Sequence, residues 1–242
     1  MNLELFAADG MTPARIELGP AAVLLRGCAL PYVEALLPAL DAVLAAAPLR
    51  HMETPGGFRM SAALSNCGAL GWTSDRHGYR YTPHDPQTGL PWPALPQPFL
   101  RLAQAAAQEA GFAGFRPDAC LINRYEPGAR MSLHQDKNEQ DFGAPIVSVS
   151  LGIAAVFLFG GHRRGDQARR VPLRHGDVVA WGGPDRLRYH GVLPVPDARH
   201  PELGAARINL TFRRAGPPDR QVSDSRRVSD TDVRHHHSHY GV

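Results

Sequence analysis

The sequence has no uninterrupted apolar run long enough to cross a bilayer, which excludes a helical membrane span. Its start, Met1-Asn2-Leu3-Glu4-Leu5-Phe6, lacks the basic region and apolar stretch of a signal peptide. Cysteine is scarce. Cys28, Cys67 and Cys120 are odd in number, far apart and without metal-finger spacing. That speaks against a disulfide framework and for free thiols in a reducing, cytoplasmic compartment. Charge of one sign is also lacking: the net charge is only +3, although the sequence pI is about 9.0. A mild preference for an anionic partner follows, and no more. What is present, 242 residues of which 43% are hydrophobic, suffices for one sizeable core. One domain with decorations is expected.

Residues 1–19 read as an irregular lead-in. Ala21 to Arg26 is a short apolar run that suits a strand. Pro31 to Ala47 carries Val33, Leu36, Leu37, Leu40, Val43 and Leu44 at helical spacing. Pro38 does not suit a helix interior, so a kink or restart is expected there. Residues 48–98 are Gly- and Pro-rich, with scattered aromatics: Phe58, Trp72, Tyr79, Tyr81 and Trp92. Fifty residues of weak period are too many for an idle connection; a lid or binding surface and a structural cover are both open. Short paired strands within it are expected, as at Phe58–Asn66. Gln97 to Ala110 reads as a second helix, with a stripe of Leu100, Ala103, Ala107 and Ala110. Eight short strands then follow between Ala119 and Arg213, among them Leu187–His190. Their turn signals point to a sandwich, barrel or jelly roll. Residues 217–242 lack apolar periodicity and read as a disordered tail. Its His235–His239 tract reads as solvated.

The chemistry gathers around Leu121 to Asp136. Two short strands flank Pro127-Gly128, and the second ends in His134-x-Asp136. Two residues apart on a strand, both side chains share a face. An imidazole and a carboxylate are two thirds of a 2-His-1-carboxylate triad, which holds Fe(II) and leaves positions open. Alone, His-x-Asp is a weak signal, and a solvated loop pair is the favoured reading of it. A second histidine is needed on a later strand; His190 fits best, with His175 and His162 as turn-borne competitors. On Arg207-Ile208-Asn209-Leu210-Thr211-Phe212-Arg213, the polar residues share one face and the apolar residues the other. Two arginines on an otherwise buried strand need anions, and a dicarboxylate would satisfy both. Asn123 and Tyr125 offer an amide and a phenol from one face of their own strand. A surface strand with solvated arginines is the alternative. Arg163, Arg164, Arg169, Arg170 and Arg174 crowd one segment, as a solvated loop or a phosphate contact.

Taken together, Asn123-Arg124-Tyr125, His134-x-Asp136, His190 and Arg207-x-Asn209-x-Thr211-x-Arg213 resemble the AlkB-type Fe(II)/2-oxoglutarate dioxygenases. So do Thr54-Pro55-Gly56-Gly57, Asn66-Cys67-Gly68, Leu70-Gly71-Trp72, Pro91-Trp92-Pro93, Pro117-Asp118-Ala119-Cys120 and His175-Gly176-Asp177-Val178-Val179. The resemblance covers residues 20–216. It implies a mainly β fold with flanking helices (α+β): a double-stranded β-helix, or jelly roll, over 117–214 with an N-terminal nucleotide-recognition lid over 48–98. It implies that His134, Asp136 and His190 hold Fe(II), and that Asn123, Tyr125, Arg207, Asn209 and Arg213 bind 2-oxoglutarate. Dioxygen (O2) and 2-oxoglutarate would go to succinate and carbon dioxide. The expected reaction is oxidative demethylation of N1-methyladenine and N3-methylcytosine in single- or double-stranded DNA, and in RNA, with release of formaldehyde. A monomer without membrane attachment is expected. Trp72 would stack on the flipped base, with Tyr79, Arg80, Tyr81, Asn138 and Arg164 as further substrate contacts.

Two departures stand out. Asn138 stands where bacterial members carry an acidic residue facing the base, so an altered preference is expected. Leu158 replaces a polar residue on a core strand. Two other readings compete: a hydroxylase acting on protein or a small molecule, and a cupin-like binding module. The second leaves Arg207 and Arg213 without a partner.

Overall fold

The computed structural model describes residues 14–218. The expected tail beyond 218, and the lead-in before residue 14, lie outside the described residues. Residues Arg15–Gly19 form strand β1, so the ordered domain begins before residue 20. Strand β2 (Ala22–Leu25) follows, then helix α1 (Val33–Ala46) and β3 (Ala63–Gly68). A hairpin of β4 (Gly71–Asp75) and β5 (Gly78–Thr82) precedes helix α2 (Gln97–Glu109). The remaining strands are β6 (Ala119–Tyr125), β7 (Met131–His134), β8 (Ile146–Gly152) and β9 (Ala155–Phe159). They continue with β10 (Arg169–Leu173), β11 (Val178–Trp181), β12 (His190–Val192) and β13 (Arg207–Arg213).

Seven strands make a major sheet in the order β1-β2-β11-β8-β13-β6-β3, and four make a minor sheet in the order β10-β9-β12-β7. All neighbours in both sheets are antiparallel. From β6 onward the chain passes back and forth between the sheets, which is the double-stranded β-helix. The alternation of β13 explains its place. Ile208, Leu210 and Phe212 face the helices and join Leu36, Leu40 and Val43 of α1 and Phe99 and Leu102 of α2 in one core. Phe99 and Phe212 meet edge to face at 6.0 Å between centroids. The polar residues of β13 face the other way, into the space between the sheets. There a second core of Phe157, Phe159, Val179 and Trp181 closes one end.

Several local expectations change. Helix α1 runs through Pro38 without a restart. Pro38 lies on the exposed side, where water can satisfy the carbonyl it frees. The buried stripe of α2 is Phe99, Leu102, Ala103, Ala106 and Ala107; Leu100 is half-buried, because Phe99 sets the phase. Strand β12 starts at His190, after a 3-10 turn at Gly183–Asp185, so Leu187–Tyr189 is not strand. The 48–98 region divides. Its β3 pairs with β6 as an edge of the major sheet, and the β4–β5 hairpin is a separate two-stranded sheet. Among the described residues no helix is long and apolar enough to cross a membrane.

Next to the far end of β13, His175 stacks on His200 at 4.3 Å between ring centroids, and its Nδ1 accepts the backbone N–H of Gly152 at 3.0 Å. Gly152 is the register partner of Arg207. Burial and the neighbouring His200 hold the His175 pKa below the usual imidazole value, against Glu202 and Asp177. A histidine so depressed binds fewer protons folded than unfolded. Its contribution is therefore complete above the unfolded pKa and is lost as pH falls through it. The metal-free protein is expected to lose thermal stability from about pH 7 to about pH 5.5. In His175→Asn, which keeps an acceptor for Gly152 and cannot protonate, the loss shrinks. Equal melting-point losses in both proteins would contradict the assignment.

Candidate active site

The sheet register builds the site. His190 on β12 lies directly opposite His134 on β7, and their rings stand 4.4 Å apart between centroids. Gly191 makes this approach possible: a Cβ there would lie 2.7 Å from the Met131 carbonyl oxygen, so only glycine lets β12 and β7 close up. Strand β7 ends at His134, and Asp136 falls in the loop just beyond it rather than on the strand. The three side chains still converge. Asp136 Oδ1 lies 3.5 Å from His134 Nε2, and Oδ2 lies 3.7 Å from His190 Nε2. One ligand atom from each lies within 4.8 Å of the others.

The protonation pattern suits a cation. His134 Nδ1 faces the Ser132 carbonyl at 2.9 Å, and His190 Nδ1 faces the Arg188 carbonyl at 3.0 Å. A carbonyl only accepts, so each Nδ1 carries a proton, and each Nε2 is the ring atom turned toward the triad. Burial and the adjacent His134 push the His190 pKa down to about 4, against the pull of Asp136, which keeps its ring neutral. Burial pushes the Asp136 carboxyl upward, but Arg213, His190 and His134 overcome it and hold the pKa well below the usual carboxylate range. Arg213 donates to Asp136 Oδ2 through Nε at 2.8 Å and Nη2 at 2.6 Å.

Beside the triad is a narrow cavity of about 50 Å³ between the sheets. Asn123, Tyr125, Arg207, Asn209 and Arg213 all line it, as do His134 and His190. Asn209 is fully engaged: Nδ2 donates to Ser148 Oγ and the Val149 carbonyl, and Oδ1 accepts from Thr211 Oγ1. Arg207 is different. It is 2% exposed and donates through Nη2 to Ser150 Oγ at 3.0 Å, with its guanidinium 5.0 Å from the Tyr125 ring centre. Its Nε and Nη1 have no hydrogen-bond partner, and neither have Asn123 Oδ1 and Trp181 Nε1 on the same cavity wall. The orphaned donors among these, Arg207 Nε and Nη1 and Trp181 Nε1, mark the seat of an anionic ligand. A larger cavity of about 240 Å³, near Phe112, Arg116, Asp141 and Arg214, holds no triad residue. Chemistry, rather than size, marks the smaller cavity as the candidate active site.

The sequence-predicted substrate residues divide. Trp72 and Tyr79 stack on each other across the β4–β5 hairpin, 5.5 Å apart and 15° from parallel. Trp72 also packs against a small cluster of Met52, Leu64 and Leu121, and Leu121 lines the cavity. Trp72 Nε1 donates to Asn138 Oδ1 at 3.4 Å, and Tyr81 Oη donates to Glu139 Oε1 at 2.6 Å. Thus Trp72, Tyr79, Tyr81 and Asn138 stand where the hairpin meets the loop that carries Asp136. Arg80 is committed to Asp75 within its own hairpin, through Nη1–Oδ1 at 2.9 Å and Nη2–Oδ2 at 2.6 Å. Arg164 is exposed in the β9–β10 connection and touches none of these groups.

Sequence reasoning missed a buried charge network. Glu139 sits between Arg186 Nη2 at 3.2 Å and Arg213 Nε at 3.5 Å, and Arg186 Nη1 donates to the Asp136 carbonyl at 2.8 Å. Nothing local in the sequence marks Glu139, since its partners are 58, 47 and 74 positions away by number (Tyr81, Arg186 and Arg213).

A facial triad between the sheets of a double-stranded β-helix is the arrangement of non-haem iron oxygenases. Comparison with known proteins agrees. Residues 23–213 match the 2OG-Fe(II) oxygenase superfamily. The alpha-ketoglutarate-dependent dioxygenase AlkB of Salmonella typhimurium is 55% identical over 213 residues, covering 88% of this chain and 98% of the relative. The Escherichia coli protein of that name is 54% identical over 214 residues, with the same coverage. A DNA N(6)-methyladenine demethylase of Arabidopsis thaliana, ALKBH1C, is 32% identical over 184 residues, 65% of this chain and 40% of the relative. The solved structure of OsALKBH1 superposes with a TM-score of 0.71 at 27% identity, over 83% of this chain and all of that one. The chain belongs to the 2OG-Fe(II) oxygenase superfamily, within its AlkB family of alpha-ketoglutarate-dependent dioxygenases. It is an enzyme that uses iron and 2-oxoglutarate.

Removing the Tyr81 phenol isolates the hairpin's tie to the triad loop. Tyr81→Phe leaves Glu139 short of one buried donor, at a cost of about 1–3 kcal/mol. The melting point is expected to fall, and amide exchange over residues 71–82 to quicken. Unchanged exchange in the hairpin would show that the bond does not hold it.

Proposed function

We propose that this enzyme reverses N-alkylation of nucleic-acid bases, N1-methyladenine and N3-methylcytosine among them, in DNA and RNA. The observation that carries this reading is the aromatic hairpin bonded to the triad loop at both Trp72 and Tyr81. A base within a duplex cannot reach a buried triad, so it must be flipped out and held on an aromatic face. Trp72 offers that face once Tyr79 gives way, and cationic bases gain attraction from an aromatic ring beyond stacking. The Arabidopsis relative, named for demethylating DNA, supports the same direction.

His134, Asp136 and His190 would hold the Fe(II). When bound, iron and 2-oxoglutarate supply the oxidising chemistry, converting the co-substrate and dioxygen to succinate and carbon dioxide while the N-methyl group is hydroxylated. The resulting N-hydroxymethyl group leaves as formaldehyde and the base is restored. The two arginines divide the work. Arg207, buried without a carboxylate, grips the far carboxylate of 2-oxoglutarate. Tyr125 stays neutral, because burial raises its pKa, and so donates its phenol hydrogen to the same group. Arg213 already neutralises Asp136 and fixes the ligand carboxylate in place. Asn123 completes the seat with its amide, and Asn209, its own amide engaged by Ser148, Val149 and Thr211, forms the wall beside it. Arg164 and its neighbouring arginines contact substrate phosphates from the β9–β10 connection.

The test is formaldehyde release and base restoration on an N3-methylcytosine oligonucleotide with iron, ascorbate and 2-oxoglutarate. His134→Ala and Asp136→Ala are expected to lower turnover at least about a hundredfold. Arg207→Met is expected to keep or raise the melting point, since a buried unpaired charge is replaced by apolar volume, yet raise the 2-oxoglutarate KM at least about tenfold. Succinate formation without base restoration would move the substrate away from nucleic acid. An unchanged KM in Arg207→Met would remove Arg207 from the seat.

A further inference from the structure

Residues 135–145, the connection from β7 to β8, contain no helix or strand. Asp136 therefore has no ladder to hold it, and side chains must fix the loop instead. One side chain does most of this. The Arg186 guanidinium is 3% exposed and uses all three of its nitrogens on the loop. Nη1 donates to the Asp136 carbonyl at 2.8 Å, Nη2 to Glu139 Oε2 at 3.2 Å and Nε to the Ala144 carbonyl at 3.2 Å. Phe142 of the same loop lies against it, with the guanidinium 5.3 Å from the ring centre. A planar fork can bridge three acceptors in this way; a point-like ammonium cannot.

Arg186 is itself held. It directly follows the 3-10 turn at Gly183–Asp185, and its N–H donates to the Gly183 carbonyl at 3.1 Å. The Asp185 carboxylate is 1% exposed and anchors that turn, accepting the Ala21 N–H and Arg188 Nε, each at 2.6 Å. The residues after Arg186 also reach the triad region. The Leu187 carbonyl accepts from Gln135 Nε2 at 2.6 Å, and the Arg188 carbonyl accepts from His190 Nδ1 at 3.0 Å. Three successive residues thus tie Asp136, its neighbour Gln135 and His190 to one turn.

Charge points the same way. Glu139 Oε1 lies 3.5 Å from Arg213 Nε, the nitrogen that donates to Asp136 Oδ2 at 2.8 Å. The two carboxylates compete for one guanidinium. Arg186 gives Glu139 a cation of its own and leaves Arg213 to Asp136. Loss of Arg186 frees the Asp136 carbonyl and draws Arg213 toward Glu139, so it disturbs Asp136 through both its backbone and its carboxylate.

We infer that Arg186 is a positioning residue of the metal site. It locks Asp136 to the turn that also orients His190, and so sets the carboxylate against the two imidazoles. Its bond to the triad is through the Asp136 backbone carbonyl. The inference rests on the reading of His134, Asp136 and His190 as the metal ligands.

The test is Mn(II) affinity, read from the paramagnetic resonance signal of unbound Mn(II) at a temperature well below melting. Arg186→Met is expected to weaken Mn(II) binding about tenfold or more. Arg186→Lys keeps the charge beside Glu139 without the three-way fork; its loss is expected to be smaller, and it reads the same quantity should Arg186→Met not fold. The 2-oxoglutarate affinity at saturating Mn(II) is expected to stay near the parent value, since Arg207 and Tyr125 are untouched. Arg50→Met separates a merely structural effect. It breaks the ion pair of Arg50 with Asp85, which lines no part of the cavity beside the triad, and is expected to lower the melting point while keeping parental Mn(II) affinity. Parental Mn(II) affinity in either folded Arg186 variant, or an equal loss in Arg50→Met, overturns the positioning role. Mn(II) binding in the parent that His134→Ala leaves unchanged overturns the metal-site reading and this inference with it.

Discussion

A guanidinium buried without a carboxylate is the constraint on which this site depends. Arg207 sits on a central strand, 2% exposed, with one hydroxyl and one aromatic face for company. Burying a charge this way is costly, and a fold keeps it only where something else compensates. The strand itself cannot move to relieve it. Its other face anchors Ile208, Leu210 and Phe212 in the helical core, and it is paired on both sides, with β6 and β8. The stability of the domain and the demand for an anionic ligand are thus two faces of one strand. The same pairing sets Tyr125 opposite Arg207 and Asn123 opposite Asn209, so the ligand seat is assembled by register rather than by loops.

The second arginine of that strand has the opposite circumstance. Arg213 is saturated by Asp136 and lies near Glu139, and Glu139 is shared with Arg186 and with the Tyr81 phenol. One continuous network therefore runs from Asp136 of the triad through two arginines to the β4–β5 hairpin. Tyr81 of the hairpin shares Glu139 with the arginine that holds Asp136. The hairpin and the carboxylate of the triad are thus tied by side chains that all have to be satisfied at once.

Much of this was legible in the residues. The 2-His-1-carboxylate set and the polar face of β13 are written in residue type and spacing, because ligand chemistry and a two-residue period admit few alternatives. What covered the two faces of β13 was not legible: alternation shows that faces differ, and only the fold shows that one meets helices and the other a cavity. The Glu139–Arg186 pair was invisible because nothing local marks charges that meet from distant segments. β1 was missed because Gly19 and Pro20 made its neighbourhood look like a loop, while its strand character comes from pairing with β2. Leu158 faces no group whose chemistry its change explains.

The central claim is that the triad and the orphaned donors beside it form one seat for a metal and a dicarboxylate together. Melting of the protein with Mn(II) alone, with 2-oxoglutarate alone and with both tests it most directly, since ligands that bind only the native state raise its stability. The account requires 2-oxoglutarate to stabilise strongly only when Mn(II) is present, so that the joint shift exceeds the sum of the separate ones. A shift produced by metal alone, with 2-oxoglutarate adding nothing, would contradict it.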